Sequence, residues 1–346
     1  MNSEKMNMPE IAGVCVSRET LLTARVDALA KPPGSLGRME ELAVRLGTID
    51  AKALDRALLL IFAGDHGLTE DGVSSYPSAV TGLMVDTFLA GRASANAFAR
   101  TVGADVRVVD AGVAADLPSH PALIAAKVRK GTRNAVRESA LTVAETEDAL
   151  QKGIALAQGA AREGYGILAM GEMGIGNTAS AALLMHRLTG ISLELCVGRG
   201  AGHDDAGLAR KQAVLARAAA RTPVTAPFDV LKEFGGLEIV MMAGAMLGGA
   251  AAGCVVVVDG FISTAAALAA ARLSPAVTPY LVFAHRSAES GHRLMLDYLK
   301  ASPLLDLDMR LGEGTGALLA LPLIRAAARI LTDIATLEDV LTGKIT

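Results

Sequence analysis

The stretch YGILAMGEMGIGNTASAALL, Tyr165 to Leu184, decides the fold. Its first seven residues form an apolar run ending at Gly171. Gly174 and Gly176 then punctuate a turn, and Asn177 and Thr178 open an Ala-rich helical segment. A buried strand that feeds a helix through a glycine turn is the repeating half of a parallel βαβ arrangement. Such glycines let backbone N–H groups approach an anion, and a helix N-terminus favours negative charge, so the turn is a candidate phosphate cradle. A plain tight turn capped by Asn or Thr accounts for the same residues. No Lys-Ser/Thr follows the last glycine, which excludes a Walker A loop, and the spacing is short of a full dinucleotide fingerprint.

Working outward, short apolar or β-branched runs recur at 57–64 (ALLLIFAG), 105–112 (DVRVVDAG), 193–200 (LELCVGRG), 254–260 (CVVVVDG) and 280–286 (YLVFAHR). Helically patterned stretches at 81–102, 146–164, 178–190, 207–221 and 261–273 separate most of them. With 165–171 this predicts an α/β protein: a Rossmann-like open parallel six-stranded sheet with helices on both faces. Ligands bind at the carboxyl ends of strands in such sheets. The polar, glycine-rich loops GDHGLTEDGVSSYP (64–77), GEMGIGNTA (171–179), GRGAGHDD (198–205), DGFIS (259–263) and HRSAESGH (285–292) all follow predicted strands, and together they describe a site. Both ends of the chain read as helical, with Pro322 an interruption or kink in 318–343. The expected organisation is a large domain over 56–289 and a small helical domain built from 1–55 and 290–346.

Composition narrows the function. Hydrophobic residues make up 51% of the 346, aromatics 3%, and Trp is absent, so the core is Ala, Leu, Val and Ile packed closely against Gly. The formal charge of −3, with no basic stripe carrying aromatics, argues against nucleic acid and for small-molecule partners. Cys15, Cys196 and Cys254 are scattered, which suits reduced thiols in the cytoplasm. The first ten residues lack the apolar core of a signal peptide. Ile239–Val258 is long and uncharged enough to span a bilayer, yet it is Gly/Ala-rich first and β-branched last, which reads as a buried helix followed by a buried strand, not a membrane segment.

Two carboxylates stand inside glycine clusters, Glu172 in GEMGIG and Glu313 in LGEGTG. A partly desolvated carboxylate has its pKa raised, as a general base near neutral pH requires. Alternatively, Glu313 caps a helix starting near Thr315. The flanking glycines give close backbone approach and leave room for a ligand. In GRGAG, Arg199 is either an anion partner or a solvated side chain. His66, His203, His285 and His292 have neither HExxH nor CxxC company, so capping or cleft lining is expected and no metal. There is no GxSxG elbow.

These motifs together resemble one family, the nicotinate-nucleotide:dimethylbenzimidazole phosphoribosyltransferases. The matching segments are KPPGSLGRMEELA (31–43), GDHGLTEDGVSSYP, GEMGIGNTASAALL, VGRGAG, VDGFISTAAALAA, HRSAESGH and LDMRLGEGTGALLALPLIRAA (307–327), in order across almost the whole chain. The resemblance implies transfer of 5-phosphoribose from nicotinate mononucleotide to 5,6-dimethylbenzimidazole with inversion, giving α-ribazole 5′-phosphate for cobalamin nucleotide-loop assembly. It implies a homodimer and no cofactor. Glu313 matches the family's base, and Glu172 and Lys211 its second carboxylate and nucleotide-site lysine. Phosphate and ribose are expected on Gly174, Gly176, Asn177, Thr178, Gly200, Gly202 and Lys211. The base pocket is expected from Ser75, Tyr76, Leu83, Met84, Leu311 and Gly312. Leu83 stands where relatives are expected to carry a glutamine. Two rivals stay open: a metal-dependent nucleotide hydrolase or kinase, and a non-catalytic nucleotide-binding module.

Overall fold

The computed structural model describes residues 8–200, residue 202 and residues 204–344; His203 lies outside them. Six parallel strands form its central layer: β1 (Ala57–Gly64), β2 (Ala104–Gly112), β3 (Leu123–Ala125), β4 (Ile167–Met173), β5 (Val255–Val258) and β6 (Leu281–Phe283). Their order is β3-β2-β1-β4-β5-β6. Every residue of β1 and β5 is buried, so side chains pointing to opposite faces are all covered and helices must flank the sheet on both sides. The chain winds outward one way from β1 and the other way from β4. The crevice between these two strands is therefore the topological switch point, where open α/β sheets bind ligands. A short parallel pair, β7 (His285–Arg286) with β8 (Leu305–Asp306), continues the last run.

Fourteen α-helices complete the described fold. In chain order they are α1 (Val16–Asp27), α2 (Arg38–Thr48), α3 (Val80–Leu89), α4 (Ser94–Val102), α5 (Val143–Arg162), α6 (Asn177–Thr189) and α7 (Leu193–Cys196). There follow α8 (Asp205–Ala220), α9 (Pro227–Phe234), α10 (Leu237–Ala251), α11 (Phe261–Leu273), α12 (His292–Leu299), α13 (Thr315–Asp333) and α14 (Leu337–Thr342). The Ile239–Val258 stretch divides into α10 and β5 as its composition predicts, both buried. α10 lies against α5 at backbone distance. A Cβ at Gly153 would meet the Met241 carbonyl at 1.9 Å, and one at Gly244 the Leu150 carbonyl at 2.2 Å. Small residues are what permit this approach.

One expected strand is wrong. LELCVGRG folds as the single-turn α7 and a loop. Leu, Glu and Cys there are not β-branched, and Ser192 and Glu194 suit a helix start. The sixth strand is instead β3, three residues at the sheet edge paired with Val108–Asp110.

Among the described residues, helices from the first and last parts of the chain pack on each other. α13 lies on α2 and α4, and Leu29 bridges Thr336, with the Ala30 N–H donating to the Ala335 carbonyl at 2.9 Å. α13 runs through Pro322 without ending. Among the described helices α13 alone is long and apolar enough to cross a membrane, and half of that apolar window is buried in this fold. Two arginines tie these helices to segments that flank the sheet. Arg45 donates to the Thr278 and Pro279 carbonyls at 2.7 and 2.8 Å, and burial pushes its pKa down to about 10. Arg325 donates to the Val102 carbonyl at 2.5 Å.

Candidate active site

A cavity of about 420 Å³ opens where β1, β4, β5 and β6 end. The loop after β4 supplies Glu172, Gly174, Asn177 and Thr178, and the C-terminal segment supplies Leu311, Gly312 and Glu313. Tyr76, Met84 and Gly200 complete the set of expected residues that line it. Ser75, Leu83, Gly176, Gly202 and Lys211 do not. Leu83 is 64% exposed on α3, because Val80 and Met84, four apart, take the helix face toward the cavity. The position that distinguished this chain from its expected relatives therefore lies outside the cavity lining. Gly176 caps α6 and packs on Thr69, and Gly202 stands exposed.

The two glutamates are brought together by a backbone crossing. Gly312, Glu313 and Gly314 are all left-handed, with φ of 86°, 63° and 84°. Such a conformation is strained in a non-glycine residue such as Glu313. Gly314 crosses directly over Gly171 of β4, where a Cβ would stand 2.6 Å from the Glu313 carbonyl oxygen. A Cβ on Gly312 would collide with Glu172 Oε1 at 2.2 Å. Within the protein these glycines make room for the Glu172 carboxylate and for strand β4, while Gly312 also lines the cavity.

Glu313 does not cap α13. Its Oε2 instead accepts from the Ala95 N–H at 3.3 Å, at the start of α4. The cap of α13 is Asp259, at the end of β5, which accepts from the Gly314 and Ala317 N–H groups at 3.2 and 2.8 Å. Asp259 therefore fixes the loop that carries Glu313 and is a positioning residue. Burial raises the Glu313 pKa, the Ala95 N–H opposes this, and Asp259 adds to it. For Glu172 burial dominates, Asp259 and Glu238 add repulsion, Asn177 donates a hydrogen bond that opposes them, and the pKa reaches about 8. With its pKa at about 8, Glu172 is mostly protonated at neutral pH.

That proton has a stability consequence. The folded-state pKa of Glu172 lies above its ordinary 4.5, so its contribution is complete below 4.5, declines as pH rises and is gone once pH passes about 8. Glu172→Gln stays neutral throughout. We expect the ligand-free variant to be more stable than wild type at pH 9 by on the order of 2 kcal/mol, and to lose less of its Tm between pH 5 and pH 9. Parallel melting curves for the two proteins across that range would refute the assignment.

Lys211 is fully buried behind the wall. Its ammonium donates to Thr178 Oγ1 at 2.8 Å and to the Gly198 carbonyl at 3.1 Å, and burial lowers its pKa to about 8. The Thr178 hydroxyl, accepting from Lys211, keeps its own proton for the cavity. Gly200 departs from expectation, since its N–H already donates to Glu289 Oε1 at 2.7 Å.

His285 lines the cavity, as the sequence reading allowed, whereas Asp259, Ser287, Glu289 and Arg310 line it without having been singled out. All lie in the strand-end loops or the LDMRLGEG segment, but as single side chains without a motif. Of the histidines, His66 is buried beneath the β1 and β4 loops and holds Glu238 at 2.6 Å. Burial opposes its charge, but Glu238 and Asp65 raise its pKa. His292 accepts from the Ser287 N–H and contacts Thr264 Oγ1 at 2.9 Å, and burial pushes its pKa down to about 3. It is a neutral brace for the 285–292 loop. Among the described residues, no group of three His, Cys, Asp or Glu is placed to hold a metal ion. Arg199 pairs with Asp205 on the surface.

A doubly wound sheet with its cavity at the switch point, a glycine turn opening a helix and paired buried carboxylates define an α/β enzyme of nucleotide chemistry. Comparison narrows this. The family model DBI_PRT, described as phosphoribosyltransferase, matches residues 16–340. A nicotinate-nucleotide–dimethylbenzimidazole phosphoribosyltransferase of Cupriavidus taiwanensis is 50% identical, over 96% of this chain and 97% of that protein. One from Roseiflexus is 49% identical over 93% of each. The crystal structure of CobT from Thermus thermophilus superposes with a TM-score of 0.90 at 46% identity, over 94% of this chain and 98% of that one. The chain belongs to the nicotinate-nucleotide–dimethylbenzimidazole phosphoribosyltransferase family.

Proposed function

We propose that this chain transfers 5-phosphoribose from nicotinate mononucleotide to 5,6-dimethylbenzimidazole with inversion at the anomeric carbon. Nicotinate and α-ribazole 5′-phosphate are the products. The observation that carries the mechanism is the crossing of Gly314 over Gly171, which sets the carboxylates of Glu172 and Glu313 in one cavity.

The chemistry needs little else. One benzimidazole nitrogen attacks C1′ while the C1′–pyridinium bond breaks, and the bonding pair returns to the pyridine nitrogen, so the leaving group requires no acid. The attacking ring would become cationic unless its other N–H is removed. Glu313, with its raised pKa, takes that proton. The transition state carries positive charge on the ribose, which Glu172 stabilises electrostatically. A pyridinium cation entering the cavity favours ionised Glu172 and so displaces the proton that burial keeps on it. The 5′-phosphate sits at the N-terminus of α6, against Gly174, Asn177 and Thr178 and with Lys211 behind them. Tyr76, Met84, Leu311 and Gly312 border the aromatic base.

The test is a two-substrate assay. Nicotinate and α-ribazole 5′-phosphate should appear in equal amounts, and EDTA should leave the rate unchanged. Ribose 5-phosphate in place of the ribazole would indicate the hydrolase rival, and binding without nicotinate release the non-catalytic one.

The segments 1–55 and 290–346 act in this reading as one small helical domain closing the cavity, supported by the packing of α13 on α2 and the Leu29–Thr336 bridge. A cytoplasmic homodimer completes it. Cys15, Cys196 and Cys254 are free thiols, and Leu21, Leu337 and Leu341 are exposed on the terminal helices. Sedimentation equilibrium should return about twice the chain mass of 35.5 kDa, and a single-chain mass at micromolar concentration would rule the dimer out.

A further inference from the structure

Two loops meet beside Thr178 at the start of α6, 198–200 after α7 and 285–292 beyond β6, and one side chain joins them. Glu289 lines the cavity, and its Oε1 accepts from the Gly200 N–H at 2.7 Å, across 89 residues of chain. Its Oε2 lies against Gly198, where an added Cβ would stand 2.2 Å away. The loop so held carries the acceptor of a buried cation, because the Gly198 carbonyl takes the Lys211 ammonium at 3.1 Å. Lys211 in turn donates to Thr178 Oγ1 at 2.8 Å. A continuous line of contacts thus runs from Glu289 through Gly200 and Gly198 to Lys211 and Thr178.

Glu289 is itself fixed. Its N–H donates to Ser287 Oγ at 3.3 Å, its carbonyl accepts from the His292 N–H at 3.0 Å, and His292 Nδ1 accepts from the Ser287 N–H at 2.8 Å. Glycines set no position of their own, so this braced carboxylate decides where Gly198 places its carbonyl. Glu289 is also the charge that opposes burial at Lys211. The other charged or titratable side chains of the surrounding elements are engaged elsewhere. Arg199 pairs with Asp205, Arg210 donates to the Gly72 carbonyl, and Asp204 caps α8. In α6 His186 holds the Ile191 carbonyl and Arg187 the Ala219 carbonyl, while Glu194 of α7 is exposed and His292 is turned to Thr264.

We propose that Glu289 is a positioning residue that clamps the 198–200 loop and, through the Gly198 carbonyl, holds the Lys211 ammonium in place behind the nucleotide phosphate. This rests on the transfer reading.

Turnover of nicotinate mononucleotide by wild type is measured first and tests that reading by itself. The comparisons that follow can also be made as Kd by calorimetry, which needs no turnover. Glu289→Gln keeps an oxygen for the Gly200 N–H but loses the charge, so Lys211 should release its proton about one pH unit lower. The alkaline limb of kcat/KM then moves down from about 8 by that amount, a loss of about 2-fold at pH 7 and about 5-fold at pH 8. Glu289→Ala also unties the loop and should lose about 10-fold at pH 6, where Lys211 is charged in either protein. Nicotinate riboside, which lacks the phosphate, should show neither effect, and in a Lys211→Met background both should vanish. An alkaline limb unmoved in Glu289→Gln, or losses that persist with the riboside, overturns the proposal. A higher kcat/KM in Glu289→Gln overturns it as well, since Glu289 would then be a competitor for the phosphate. Glutamine has the same shape, so this variant should melt with wild type.

Discussion

Glu313→Gln lowers kcat by about 10²–10⁴-fold and leaves the protein folded. The amide has the same shape, its oxygen can still accept from the Ala95 N–H, and its backbone meets the same left-handed strain. What it cannot do is accept the benzimidazole proton. Removing a carboxylate near Asp259 also relieves repulsion, so Tm should hold or rise. The effect should fall on kcat, since the proton moves only as the new bond forms. The raised pKa adds a signature in wild type: as pH falls through it the base is protonated, so the acid limb of kcat lies above the ordinary carboxylate range. A variant with wild-type kcat and intact Tm would remove Glu313 from the role.

Lys211→Met weakens nicotinate mononucleotide by about 100-fold in kcat/KM, the scale of one buried charge acting on a phosphate. Methionine fills similar space and needs no buried charge, so the fold survives. The pH dependence has a definite sign. Burial brings the ammonium to about 8, so wild type loses this cation as pH rises through 8, and its kcat/KM should fall there. The variant, with nothing to titrate, should show a flatter alkaline limb. For nicotinate riboside the gap between variant and wild type should close, and a gap that persists would point to a structural role for Lys211.

Much of the fold was legible because the strands carry their own signal. ALLLIFAG and CVVVV are apolar at every position, which only a strand covered on both faces requires. LELC and LIA were not, because runs of three or four residues take whatever conformation their neighbours impose. Glu172 and Glu313 were legible through their glycines, although the purpose of those glycines was not: it depends on where Gly314 meets Gly171. Asp259, Glu289 and Ala95 act through partners 55, 89 and 218 residues away, a reach that local patterning does not encode. Leu83 shows the converse, a residue given importance by motif and then set outside the cavity by its helix face.

The position of Glu313 also has a consequence for assembly. Every strand of the six-stranded sheet precedes it in the chain, and the helix that follows it packs on α2, near the other end. In vectorial synthesis the sheet, its glycine turn and the pocket for the nucleotide are all made before the base emerges. A partly finished chain could hold substrate but not turn it over. Reactivity arrives with the last closure, when α13 docks on α2.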